Sequence, residues 1–412
     1  MRRLREGYKK TEVGIIPEDW EVKKIGDIVN IKSGSSPSKF NLSEQGEYPF
    51  FKVDDMNYGF KYLNNSKLYF DSYDNNLMKL GMIVFPKRGA SIFTNKILIL
   101  NKDGYFDTNL MGLICKKGVN NEFLYYFLYN YELSKIADTS SIPQINNKHI
   151  EPLKIQLPPL KEQEKIAEIL STIDSQIEDT EKLIEKSKEL KKGLMQKLLT
   201  KGIGHSEFKK TEVGEIPVEW EVKSILSVSN TMSGGTPNRS KKHYYIDGNI
   251  SWVKTGELGA KYIHDTEEKI TELAINESSA KLVPSYSVII AMYGATIGKL
   301  SININEVTTN QACCSIICDK DILSYEYLYY YLDFNKDKLI ALGAGGAQPN
   351  ISQQIIRDFK ITVPNVNEQE IIIQILSAID NKVEKEQNKK QKLEELKKGL
   401  MQQLLTGKIR TV

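Results

Sequence analysis

Residues 9–22 read KKTEVGIIPEDWEV, and residues 209–222 read KKTEVGEIPVEWEV, identical at 11 of 14 positions. A second pair closes what the first opens: KKGLMQKLLT at 191–200 and KKGLMQQLLT at 397–406 agree at 9 of 10. The offset is 200 at the start and 206 at the end, so the chain is two copies of a stretch of about 200 residues. Between the shared ends the copies diverge yet stay alignable. Lys32-Ser-Gly-Ser-Ser-Pro37 answers Met232-Ser-Gly-Gly-Thr-Pro237. Gly89-Ala-Ser-Ile92 answers Gly294-Ala-Thr-Ile297, and Pro143-Gln-Ile-Asn146 answers Pro349-Asn-Ile-Ser352. A kept scaffold with changed residues between is the pattern expected of two modules that share a fold and read different ligands.

Each copy has two parts. The first alternates short β-rich runs with turns: Met82–Phe85, Ile97–Leu100, Ser287–Ile290 and Cys314–Cys318. A helix rich in aromatic residues follows, expected at Glu122–Ala137 and Tyr325–Leu342, which makes an α+β module. The second part is a long helix, opened by Leu157-Pro-Pro159 and by Val363-Pro364, since proline suits a helix start and not its interior. In the second copy Asn367 and Glu370 have the spacing of a capping box.

Apolar residues at 166, 170, 173, 177 and 184, and at 372, 376, 379 and 383, step by 3 and 4, which predicts a coiled-coil seam. The step shortens near Ser187–Leu190, where the supercoil should be irregular. About 38 residues at about 1.5 Å each give a rod of about 57 Å.

Charge along these helices predicts how they pair. Residues 161–181 hold 2 Lys against 7 acids, and 182–201 hold 7 Lys against 2 acids. Residues 367–387 hold 2 Lys against 5 acids, and 388–408 hold 6 Lys against 2. Antiparallel packing sets acid against base along both helices, whereas parallel packing sets like against like. Such a pair puts the two modules at opposite ends, related by a pseudo-two-fold axis.

Composition narrows the class. A chain of 412 residues that is 40% apolar and 26% charged is expected to be a soluble globular protein of two to three domains. No apolar run approaches the roughly 18 residues that span a bilayer, and Met1–Lys10 lacks the apolar core of a signal peptide. Four cysteines are too few for a disulfide framework, so a reducing cytoplasm is the expected setting. Net charge is 56 − 53 = +3, so any nucleic-acid site must come from local clustering.

No catalytic motif stands out. Gly294-Ala-Thr-Ile-Gly298-Lys299 is one residue short of a phosphate-cradling loop and reads as a sharp turn. No Gly-rich dinucleotide turn, nucleophile elbow, paired-histidine metalloprotease motif or adenine-methyltransferase motif occurs. Cys313, Cys314 and Cys318 lack the second Cys/His pair of a zinc site and read as buried strand cysteines. A binding protein is favoured over an enzyme.

Module, long helix, module, long helix with near-identical ends resembles the specificity subunit of type I restriction-modification systems. The motif from Pro158 to Asp174, repeated at Glu368–Glu370 and Ile375–Asp380, looks like that family's helix-opening sequence. Gly14–Trp20 and Gly214–Trp220 look like its lead-in to each module, and Lys191–Thr200 and Lys397–Thr406 like its helix-closing sequence. The second copy departs only in Val363-Pro364-Asn365, where the first has a double proline.

The resemblance implies target recognition domains at 1–158 and 204–364, and conserved helices at 159–203 and 365–412. The two domains would read the halves of a split double-stranded DNA sequence. The helices would set the gap and dock two modification (methyltransferase) subunits and, with them, restriction subunits. S-adenosylmethionine, ATP and Mg²⁺ would belong to those partners. The rival reading is a coiled-coil adaptor with two end domains for ligands other than DNA.

Base readout needs side chains that fork onto base edges, and affinity needs phosphate contacts. Loops flanking the repeat landmarks supply Lys52, Asn57, Tyr58, Lys87, Arg88, Ser91, Thr94, Asn95, Lys96, Gln144, Asn146 and Lys148 in the first module. In the second they supply Arg239, Lys241, Lys242, Lys254, Thr255, Tyr293, Lys299, Gln348, Asn350 and Ser352. Trp20 and Trp220 read as anchors between module and helix. The Tyr125–Tyr131 and Tyr325–Tyr331 clusters suit either base stacking or, at helical spacing, the core.

Overall fold

Each copy opens with the same short hairpin. Tyr8–Thr11 pairs antiparallel with Gly14–Pro17, and Phe208–Thr211 with Gly214–Pro217. The turn needs a left-handed backbone, which Gly14 (φ 121°) and Gly214 (φ 117°) adopt without a Cβ penalty. The computed structural model describes residues 6–71, 76–343 and 350–411. Two compact units form: Met1–Ile184 with Glu386–Val412, and Glu185–Lys385.

In the first unit the main sheet has five strands in the order Val29–Ser33, Leu110–Cys115, Ile83–Pro86, Leu98–Leu100, Tyr62–Leu63. Every joint is antiparallel except the last, which is parallel. A smaller sheet places Tyr48–Phe51 between Tyr105–Phe106 and Tyr69–Phe70. The second unit repeats the order as Ser229–Ser233, Cys313–Cys318, Val288–Ala291, Leu300–Asn303, Tyr262–Ile263, again with only the last joint parallel. The duplication visible in sequence is therefore a duplication of topology.

Asn120 caps the aromatic helix of the first unit, its Oδ1 accepting from Phe123 N at 2.9 Å. That helix runs Asn121–Tyr131, shorter than the expected Glu122–Ala137, because Glu132 takes a left-handed φ of 64° and the chain continues as a 3₁₀ turn, Leu133–Ile136. In the second unit the expected single helix is Tyr325–Phe334 and Lys336–Leu342, parted at Asn335. Tyr125, Tyr126, Tyr327 and Tyr330 are buried, which assigns them to the core and takes them away from base stacking. Cys313 and Cys314 are buried in their strand, as their apolar setting suggested, whereas Cys318 at the strand's end is half-buried.

The long helices are Leu160–Lys201 and Val366–Leu404. Asn365, not Asn367, caps the second: its Oδ1 accepts from Glu368 N at 2.9 Å, and Asn367 falls inside the first turn. Within the first unit Ile166, Leu170, Ile173, Ile177 and Ile184 are all buried. There Asp174 pairs with Lys397, and Glu181 with Lys390, one heptad up on one helix and one heptad down on the other. That is the antiparallel arrangement the charges call for. In the second unit Lys191 pairs with Asp380 at 2.6 Å, and Met195, Leu198 and Leu199 share a core with Ile372, Ile373 and Leu376.

A tryptophan pins each module to its helix. Trp20 Nε1 donates to Glu162 Oε2, and Trp220 Nε1 donates to Glu368 Oε2, each at 2.9 Å in a buried setting. Both glutamates lie in the first helical turn, where the helix dipole favours an anion. Among the described residues no helix is long and apolar enough to cross a membrane.

Candidate nucleic-acid interface

Beyond the central strand Ile83–Pro86 the chain leaves the sheet through Lys87, Arg88 and Gly89. Gly89 has φ 88°, and a Cβ there would meet nothing within 4 Å, so backbone conformation rather than space demands glycine. A 3₁₀ turn, Ala90–Thr94, follows. Its polar side chains are engaged locally. Ser91 Oγ donates to Arg88 O at 3.3 Å, Thr94 Oγ1 to Ser91 O at 2.7 Å, and Asn95 Nδ2 to Tyr129 O at 2.9 Å. Lys87 Nζ donates to Ser33 Oγ at 3.0 Å, and burial lowers its pKa from the usual lysine value.

The return segment lies alongside. Gly89 N donates to Pro143 O and Ile145 N to Lys87 O, both at 2.8 Å, and these bonds flank an antiparallel bridge between Arg88 and Gln144. Arg88 is exposed and Gln144 half-buried. Asn146 sits at the N-cap of a one-turn helix, Asn147–Ile150, its N–H donating to His149 Nδ1 at 3.2 Å, and Lys148 is exposed on that turn. Lys96 is half-buried after the 3₁₀ turn. The structure thus brings Lys87, Arg88, Ser91, Thr94, Asn95 and Gln144 into one loop pair.

Lys52, Asn57 and Tyr58 lie on another loop, the 3₁₀ turn Val53–Asn57 after the strand Tyr48–Phe51. Asp55 Oδ2 fastens that turn by accepting from Lys52 N at 2.8 Å and from Ser66 Oγ at 2.9 Å. Tyr58 is 70% exposed, and Lys67 Nζ lies 5.9 Å from its ring centroid. Sequence reasoning passed over Lys67, although it stands in a polar loop like the residues that were chosen.

In the second module the equivalent bridge joins Tyr293 to Asn350, both exposed, with Ile351 N donating to Met292 O at 2.8 Å. Gly294 repeats the left-handed backbone at φ 82°. Lys299 is exposed where the turn re-enters the sheet. Ser352 Oγ accepts from Ile355 N at 3.2 Å and so caps the helix Gln353–Asp358. Gln348 lies outside the described residues.

Arg239, Lys241 and Lys254 of the second module have acidic neighbours. Arg239 Nη1 meets Glu268 Oε2 at 2.6 Å, with its guanidinium 4.6 Å from the Tyr245 ring and 4.8 Å from that of Trp252. Lys254 Nζ lies 3.1 Å from Glu268 Oε1 and 3.2 Å from Glu267 Oε2. Lys241 Nζ donates to Tyr244 Oη at 2.7 Å beside Glu277. The hydrogen bond from Arg239 holds the Glu268 carboxyl below the usual carboxylate range. Lys242 lies in the 3₁₀ turn Lys242–Tyr244, and Thr255 opens another, Thr255–Glu257.

Both modules also hold a charge network that sequence reasoning missed, buried at Lys61 and half-buried at Lys261. Lys61 Nζ lies 3.1 Å from Glu122 Oε2 and donates to Ser171 Oγ at 2.9 Å. Lys261 Nζ lies 2.9 Å from Glu326 Oε1 and donates to Tyr330 Oη at 3.0 Å. The signal was present: Lys61-Tyr62 and Lys261-Tyr262 recur at matching places in the two copies.

A fold of two such modules, each leading into a long helix, is that of a restriction-modification specificity protein. The family described as "Type I restriction modification DNA specificity domain" matches residues 17–189 and again 217–395, and the chain belongs to it. It is 30% identical to the type I restriction enzyme MjaVIII specificity subunit of Methanocaldococcus jannaschii, over 98% of this chain and 96% of that one. It is 32% identical to the MjaIX specificity subunit of the same organism, over 99% and 98%. The crystal structure of the type I restriction-modification S subunit from M. genitalium shares the fold, with a TM-score of 0.64 at 14% identity, over 98% of this chain and 97% of that one.

Proposed function

We propose that the modules at 1–158 and 204–364 are target recognition domains that read the two halves of a split double-stranded DNA sequence. The helices at 159–203 and 365–412 dock two modification subunits and, through them, restriction subunits. The chain itself catalyses nothing. S-adenosylmethionine, ATP and Mg²⁺ act on the partners, and the complex works in the cytoplasm. Membership of the specificity family supports this reading, and one observation carries it: the same bridged pair of loop segments occurs in both modules but presents Arg88 and Gln144 in one and Tyr293 and Asn350 in the other. A common frame with different base-reading side chains is what two half-sites of different sequence require.

The test is an electrophoretic mobility shift with a random duplex pool and added methyltransferase partner. Retention and enrichment of a gapped motif is the expected result. Absence of any duplex binding by the complex would favour the adaptor reading.

A further inference from the structure

We propose that Arg88 with Gln144, and Tyr293 with Asn350, are the base-reading pairs of the two modules, each carboxamide taking an adenine and Arg88 adding an adjacent guanine. This rests on the proposal that the modules bind DNA. It adds which side chains select bases and which bases they select.

The argument starts from the backbone. The bonds Gly89 N to Pro143 O and Ile145 N to Lys87 O lie on either side of Arg88 and Gln144, not between them. Two residues so placed form the non-hydrogen-bonded type of antiparallel pair, in which the backbones approach most closely and the side chains leave the same face. Their Cβ atoms are then about 5 Å apart. Successive bases on one strand are about 3.4 Å apart. Two neighbouring side chains on such a ribbon therefore address neighbouring base pairs, and the major groove, about 12 Å wide, admits a two-stranded ribbon.

The chemistry comes next. Ser91, Thr94 and Asn95 already donate to backbone carbonyls of the same module. The Arg88 guanidinium and the Gln144 carboxamide make no side-chain hydrogen bond or ion pair among the described residues, so their forks are free to meet a ligand. Arginine fits the O6 and N7 acceptors of guanine, and glutamine or asparagine fits N6 and N7 of adenine. In the second module the bridge is kept, the carboxamide is kept as Asn350, and the arginine becomes Tyr293, 36% exposed. A tyrosine has no fork for guanine. The second half-site is therefore expected to share the adenine and to lack the adjacent guanine.

The test is selection from a random duplex pool by the complex with its methyltransferase partner, followed by sequencing. Arg88→Ala should lose preference for one guanine, and Gln144→Ala for the adenine beside it, both in the first half-site. Asn350→Ala should lose one adenine in the second. Each loss should be about five- to 150-fold in discrimination. Arg88→Lys keeps the charge and loses the fork, so it should lose the guanine preference while keeping the salt dependence of binding. Variants that select the wild-type motif with undiminished discrimination overturn the proposal while leaving DNA recognition intact. A wild-type complex that enriches no motif overturns the recognition reading itself.

Discussion

Lys397 Nζ meets Asp174 Oδ1 at 2.6 Å, with only 12% and 4% of the two side chains exposed. Asp174 Oδ2 also accepts from Tyr126 Oη at 2.6 Å, so one carboxylate ties the second long helix to the first and both to the aromatic helix of the module. The second unit makes the same device with the helices exchanged. There Lys191 of the first long helix pairs with Asp380 of the second, and Tyr330 Oη donates to Asp380 Oδ2 at 2.7 Å.

Lys397→Met leaves Asp174 charged, buried and without its cation. Breaking a buried pair in this way costs about 3–5 kcal/mol. Denaturant unfolding should show that loss. Lys191→Met should cost less, because the Asp380 side chain is 27% exposed against 4% at Asp174. Equal losses would show that burial does not set the worth of these pairs.

Trp20→Phe keeps the apolar bulk and removes the indole N–H from Glu162. Arg410 still reaches Glu162, Nε to Oε1 at 2.8 Å and Nη2 to Oε2 at 2.9 Å, so the carboxylate keeps a cation. The expected loss is that of one charged hydrogen bond, about 1.5–3 kcal/mol. Arg410→Ala in the same background should cost more than the two single changes added together, because buried Glu162 then keeps only the Thr411 N–H at 3.3 Å and no cation. A double-mutant cycle by denaturant unfolding measures the excess, and simple additivity would contradict the shared carboxylate.

Burial pushes the thiols of Cys115, Cys313, Cys314 and Cys318 from 9.0 up to about 12. The native protein should therefore resist alkylation near pH 8, and all four thiols should react once it is denatured. The unfolded chain sheds these protons above pH 9, whereas the folded chain holds them to about pH 12. The unfolded state binds fewer protons in that window, so stability should fall as pH rises from 9 to 12.

Much of this architecture is written in the repeat. The near-identical ends mark two copies, the 3–4 apolar steps mark the seam, and the acid-to-base gradient marks antiparallel pairing. What stayed hidden depends on contacts distant in sequence or on single dihedral angles. No residue near Glu132 announces its left-handed φ, so the aromatic helix was expected to run too far. Asn365 and Asn367 are equally good caps by type, and only the backbone shows that Asn365 precedes the first turn. Arg239 looked free because Glu268 is far away in the chain, and Arg88 could not be matched to Gln144 before the bridge was seen.

Those acidic partners lead to a test of the second module. Glu268 stays ionised below its ordinary carboxylate range and so holds Arg239 and Lys254 at neutral pH. Its contribution to stability is present above the ordinary value of 4.5 and is lost as pH falls through the lowered one. Glu268→Gln should release Arg239 and leave Lys254 with Glu267 alone, raise affinity for duplex DNA, and steepen the salt dependence by about 0.9 for each cation that then meets a phosphate. Titrations at several salt concentrations measure the slope, and an unchanged slope would place both cations away from DNA.

The most direct measurement is a module exchange. Residues 26–150 would be replaced by the same region of a relative with a different target, and adenine methylation mapped in cells carrying the matching methyltransferase subunits. One half of the gapped motif should change to the relative's, while the other half and the gap stay as they were. A change in both halves, or in neither with methylation intact, would contradict independent readout by two modules on one frame.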